Sequence, residues 1–253
     1  MILVELVPRL LETLITESQQ ITEQYPAITG INIPDVLRIP VRSYDGASAL
    51  LQHNINAIPH IRTVDRDIAG HLNILIPLVD QGLKSVLIVT GDHDETGIHR
   101  EISTLDLIAA IKSSLPVLQV FAGLDPYRNS LKNELLYCKQ KLDAGAEGFF
   151  TQPFFDLKYA EVYLDQLTDC PIFLGVSPVT TEKSQTYWIN QNNACFPPSF
   201  TLDLQGNCRL ADKMIQLSQS YGQNIYLMPI KVDPLTYLEG IWQNSTAITV
   251  ESS

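Results

Sequence analysis

Strand-like and helix-like segments alternate along this chain almost without interruption, and few folds accept that pattern. Ile2–Leu6 reads as a strand and Leu10–Glu23 as a helix, followed by a second strand at Ala27–Ile33 and a short helix near Ala47–Gln52. Ile58–Thr63 and Ile68–Gln81 form the third pair, and Ser85–Thr90 (SVLIVT) and Thr104–Ser113 the fourth. Val117–Gly123 precedes the helix Leu131–Ala144, and Gly148–Thr151 precedes Leu157–Leu167. Ile172–Val176 leads to helices at Thr181–Asn190 and Leu204–Tyr221, and Ile225–Met228 to Pro234–Gln243. Short apolar runs bounded by turn residues are what strands buried on both faces require. Eight such strand–helix units predict a closed parallel (β/α)8 TIM barrel, with a doubly wound open sheet as the alternative. No change of composition marks a second domain, so residues 1–243 read as one barrel and 244–253 as a frayed tail.

A net charge of −11 with no long basic run argues against a nucleic-acid partner. No apolar run is long enough to span a membrane, and the amino end starts directly on a strand without a basic leader. The expectation is a cytoplasmic protein, with a homo-oligomer left open. Cys138, Cys170, Cys195 and Cys208 are scattered without a CxxC pair, which favours reduced thiols over a zinc site. His93, Asp94, Glu95 and His99 match no strong metal spacing, so a solvated loop is preferred and no metal is expected.

In a parallel barrel the residues at the carboxyl ends of the strands define the site. Here these are Glu5, Asn32, His60, Thr90-Gly91-Asp92, Phe121 with Asp125, Gln152, Ser177 and Met228. Glu5 interrupts an apolar strand, where desolvation suits a carboxyl to general-acid work. An outward-facing Glu5, or one paired with Arg9, is equally compatible with the sequence. Lys132, Lys139 and Lys141, with Arg128, suggest a diphosphate contact or, more simply, a solvated helix face. No P-loop, GxGxxG, GxSxG or local nucleophile pattern is present, so the reactivity must come from a cofactor.

One stretch carries a more specific signal. Lys141-Leu142-Asp143-Ala144-Gly145-Ala146, followed by Thr151-Gln152-Pro153-Phe154-Phe155-Asp156, resembles the K-x-DAGA-x-x-x-x-TQ-x-x-F-D pattern of the methylenetetrahydrofolate reductases. Val4-Glu5-Leu6 with Pro8, Pro59-His60, Gly91-Asp92 and Gly175-Val176-Ser177-Pro178-Val179 match further motifs in the same order. The resemblance implies an FAD-holding barrel that passes hydride from NAD(P)H to 5,10-methylenetetrahydrofolate, a reduced folate, in ping-pong fashion. By the same carry-over Glu5 is the acid that helps open the folate ring to an iminium ion. Asp92 lies near the flavin, where its charge favours that cation, and Gln152 binds the pterin. Asn32, His60, Thr90, Gly91, Asp92, Phe121 and Lys141 fall at FAD-binding positions.

The departures leave other readings open. The first motif lacks its flanking aromatics, the second strand ends in Asn32-Ile33-Pro34-Asp35-Val36, Ser103 replaces a tyrosine, and Gln140 replaces a basic residue. A folate- or pterin-binding relative that has lost FAD or catalysis is therefore the main competitor. An unrelated barrel lyase or aldolase is the third reading.

Overall fold

The computed structural model describes residues 1–91 and 102–251. Its eight parallel strands close on themselves in chain order, with β1 (Ile2–Glu5) hydrogen-bonded to both β2 (Ile28–Ile33) and β8 (Asn224–Leu227). Between them run β3 (Ala57–Arg62), β4 (Ser85–Val89), β5 (Gln119–Leu124), β6 (Gly148–Thr151) and β7 (Ile172–Val176). The outer ring, in chain order, is α1 (Leu11–Gln24), α2 (Ser43–Gln52), α3 (Ile68–Asp80), α4 (Thr104–Ser114), α5 (Leu131–Asp143) and α6 (Leu157–Gln166). It is completed by α7 (Glu182–Asn192), α8 (Leu204–Ser220) and α9 (Pro234–Glu251). The closed barrel and its single domain are those the alternation predicts; the doubly wound sheet is excluded by the β1–β8 pairing. Most boundaries agree within two residues, and two differ by a helical turn or more. α2 begins at Ser43, whose hydroxyl bonds the carbonyl of His60 at 2.6 Å, and α9 runs past Gln243 to Glu251.

Strand side chains alternate with a period of two, and here the two parities enter different cores. Val4, Ile31, Ile33, Ile61, Val86, Ile88, Val120, Phe149, Leu174 and Leu227 face outward and pack under the helices. Leu3, Ile58, Leu87, Phe121, Phe150, Phe173 and Tyr226 face inward and fill the barrel. Phe150 stacks on Phe173 with ring centroids 4.1 Å apart, and Phe121 meets both edge-on, so the lower interior is an aromatic plug. Above it, the inward parity reaches polar or small residues: Glu5, Asn32, His60, Gly123, Gln152, Gly175 and Ser177.

Several helices open at this same end with a side-chain cap. Ser103, Ser130, Asp156, Thr181 and Asp203 each accept a bond from the first turn of their helix. Ser103, a departure from the family motif, is thus the N-cap of α4. Buried Glu134 on α5 ties down the loop after β5, accepting from the Asp125 amide, from Arg128 at 3.0 Å and from Asn129. Arg42 braces the loops after β2 and β3, holding Asp35 at 2.7 Å and reaching Asp65 as well.

Candidate active site

Adjacent strands bring four side chains into one cluster at the barrel mouth. Glu5 of β1 is in register with Asn32 of β2, and Tyr226 of β8 lies alongside the same first strand, opposite Leu3. The Tyr226 hydroxyl donates to Oε2 of Glu5. His60 Nε2 lies 3.5 Å from that hydroxyl and 3.3 Å from the Asn32 amide nitrogen. Glu5 therefore points into the barrel; the outward orientation and the pairing with Arg9 are both ruled out.

The surroundings set the charges. Enclosure within the barrel raises the Glu5 carboxyl from 4.5 to about 7, and the hydrogen bond from Tyr226 opposes part of that rise. Burial lowers His60 from 6.5 to about 3, so its imidazole is neutral at physiological pH. Tyr226 is pushed well above the usual phenol value, by burial first and then by the Glu5 charge, and stays a hydroxyl donor. The cluster thus holds one exchangeable proton near neutrality, on Glu5, among neutral neighbours. Asn32 is fully buried and its Oδ1 has no hydrogen-bond partner; the same is true of the buried Ser177 hydroxyl, just after β7.

The other sequence-predicted residues are distributed less evenly. Gln152 is exposed at the rim, its backbone amide bonded to the carbonyl of Leu124 at 2.8 Å. Thr90, directly after β4, is also exposed, and Gly91 adopts a φ of +85° that leaves its α-carbon face open to the Arg62 side chain. Asp92, with the 93–99 group considered for a metal, lies outside the described residues. Among those described, no three His, Cys, Asp or Glu side chains gather as a metal site.

Two placements correct the sequence reading. Phe121 is not at the strand end: it is the third residue of β5, buried in the aromatic plug one inward position below Gly123. Lys141 does not lie on a solvated face. It is 2% exposed, its Nζ donates to the Gly123 carbonyl at 2.6 Å and lies 4.0 Å from the Tyr137 ring centre. Burial lowers its pKa to about 8. Lys132 and Lys139 are the exposed ones. Sequence reasoning missed Tyr226 altogether. The signal was available in the parity of Asn224-Ile225-Tyr226-Leu227-Met228, which sends Tyr226 inward, but nothing local says that it meets a residue 221 positions away.

A separate cleft of about 480 Å³ opens on the flank between the starts of α6 and α8, with Phe155, Phe200, Lys158 and Arg209 in its walls. It shares no residue with the mouth cluster.

A sequence model described as Methylenetetrahydrofolate reductase matches residues 40–225. The chain belongs to the methylenetetrahydrofolate reductase family. The matched stretch contains His60, Gly91, Lys141 and Gln152, while Glu5, Asn32 and Tyr226 fall outside it. The 5,10-methylenetetrahydrofolate reductase of Salmonella typhimurium is 23% identical over 185 residues, covering 70% of this chain and 61% of the relative. That of Escherichia coli gives the same identity and coverage, and a Buchnera aphidicola relative is 21% identical over 184 residues. The chain thus spans about three-fifths of the length of these curated relatives.

Among solved structures, a 2,3-dimethylmalate lyase superposes with a TM-score of 0.59 at 10% identity, covering 99% of this chain and 81% of that one. The Yersinia pestis DHPS solved with a pterine-sulfa conjugate gives 0.52 at 12%, covering 98% and 93%. At such identities the likeness is one of fold. With the family established, the reading as an unrelated lyase or aldolase falls away.

Proposed function

We propose that this chain reduces 5,10-methylenetetrahydrofolate to 5-methyltetrahydrofolate with NAD(P)H as the electron source and FAD as the hydride carrier. The observation that carries this reading is Glu5, an enclosed carboxyl with a pKa of about 7, set among neutral groups at the mouth of a family barrel. A carboxyl with that pKa is about half protonated at neutral pH and can give up its proton without a large energetic cost. Reduction of a methylene bridge between two nitrogens needs one hydride at carbon and one proton at the nitrogen that leaves. Glu5 is the source of the proton, and no nucleophilic side chain is required.

The mouth has features that fit a flat, polar ring system. Gly123 is inward-facing, and a Cβ there would meet little besides Val89, 3.5 Å away. Asn32 Oδ1 and the Ser177 hydroxyl are buried polar atoms without partners. FAD, when bound, supplies the hydride transfer that no side chain of this protein can perform. Asn32, His60, Thr90 and Gly91 are the residues proposed to hold it, with Lys141 beneath through the Gly123 backbone. Phe121 supports the floor from the aromatic plug. Neutral His60 leaves the charge at the site to Glu5, and rim-exposed Gln152 offers both an amide donor and an acceptor to the pterin. Asp92 keeps its proposed place beside the cationic intermediate of the folate.

Lys141 favours a second reading, a folate-binding protein without FAD. Its ammonium is committed to Gly123 and Tyr137, not free to meet a diphosphate. The visible spectrum of the purified protein separates the two. A flavin spectrum, bleached by NAD(P)H and restored by methylenetetrahydrofolate, supports the reductase. A colourless folded protein that takes up no added FAD but binds reduced folate supports the second reading and refutes the first.

A further inference from the structure

We propose that Tyr226 is the positioning residue of the acid: its hydroxyl donates to Oε2 of Glu5, which confines the transferable proton to Oε1. The proposal rests on the role given to Glu5 above and adds a residue that lies outside the stretch matched by the family model.

The hydrogen bonding leaves little choice. Tyr226 is buried, and its one close acceptor is Glu5 Oε2. His60 Nε2 is more distant, at 3.5 Å, and already lies within 3.3 Å of the Asn32 amide. Oε1 of Glu5 has no hydrogen-bond partner among the described residues, so it is the oxygen left to carry a proton. Once that proton is given up, the Tyr226 bond becomes charge-assisted and strengthens, so the phenol stabilises the conjugate base. The titratable groups facing Glu5 among the described residues are Tyr226 itself and His60, which approaches through Tyr226. Both are neutral over the working range, and neither places a full charge beside the carboxyl. The reverse arrangement, with Glu5 donating to Tyr226, would leave the phenol O–H with only the more distant imidazole as an acceptor. The two arrangements predict opposite effects. A donor to the carboxylate makes Glu5 a stronger acid; an acceptor of its proton makes it a weaker one.

Tyr226→Phe keeps the ring in the aromatic interior and removes only the hydroxyl. The carboxyl of Glu5 is titrated by infrared difference spectroscopy, its band assigned by its loss in Glu5→Gln, with no substrate or cofactor turnover needed. The expected result is a Glu5 titration moved upward by about one to two pH units, as loss of a hydrogen bond to a charged group implies. In the active protein the folate step, compared below pH 7 where Glu5 is protonated in both proteins, slows by up to about tenfold for each such unit, and more than the pyridine-nucleotide step does. A downward shift, or none, overturns the proposal. If Tyr226→Phe does not fold, 3-fluorotyrosine at position 226 gives the complementary test: a stronger donor moves the titration down, and an unchanged or raised value refutes the idea. A wild-type protein with neither flavin binding nor turnover, but with these shifts, would remove the reductase reading and leave the pairing of Tyr226 and Glu5 standing.

Discussion

Glu5→Gln isolates the enclosed carboxyl through stability alone, before any activity is measured. The substitution conserves shape, and the amide oxygen can still accept from Tyr226. In the folded protein Glu5 titrates near 7, against 4.5 for an ordinary glutamate. The folded state therefore holds the proton more tightly than the unfolded chain. The sign follows: this contribution is fully present below about pH 4.5 and is lost as the pH rises through 7. At about 1.4 kcal/mol for each pH unit between the two values, the loss amounts to about 3 kcal/mol by pH 8. His60 works the other way, because its folded value lies below its ordinary one, so stability gains between about pH 3 and 6.5. The wild-type curve alone mixes the two, but the difference between wild type and Glu5→Gln cancels His60. Urea unfolding of both proteins at pH 5, 6, 7 and 8 is the assay. The variant should gain on the wild type as the pH rises, by about 2.5 kcal/mol between pH 5 and 8. Parallel curves would mean that Glu5 is solvated in the folded protein, and the acid assignment would fail with it.

Three further predictions probe the scaffold. Glu134→Ala removes the acceptor for Arg128, Asn129 and the Asp125 amide, and urea unfolding should register a loss of about 2 kcal/mol, the scale for hydrogen bonds to a charged group. A loss under about 0.5 kcal/mol, typical of a surface site, would mean that the loop after β5 is held by other contacts. Gly175→Ala would put a Cβ 2.4 Å from the Thr151 carbonyl and 2.7 Å from Met228, between neighbouring strands; a cost of about 1–3 kcal/mol is expected, and a neutral result would refute the close packing. Lys141 has a folded value of about 8, below its ordinary 10.5, so wild-type stability should rise between those pH values. Lys141→Met should lack that rise, and a variant curve that keeps it would place the ammonium in solvent.

Sequence pattern determined the architecture. Eight short apolar runs separated by helical stretches can bury both faces of their strands only under a ring of helices, and strand length plus the period of two then send Glu5, Asn32, His60 and Gln152 toward one end. The motif around Gly145 and Gln152 determined the family, because those residue types recur at fixed spacing. Tertiary structure decided what spacing cannot carry. The inward orientation of Glu5 depends on the register between β1 and β2, since a slip of one residue would turn it outward. Its partner Tyr226 comes from the far end of the chain and meets it only because the barrel closes between β1 and β8. Lys141 and Phe121 make the same point in the other direction. Two residues along one helix separate exposed Lys139 from Lys141, sealed under a backbone carbonyl, and one inward position separates the mouth from the plug. Local sequence specifies periodicity, and periodicity specifies faces; which faces meet, and with what enclosure, follows from closure of the sheet. The pKa of the acid is a property of that enclosure.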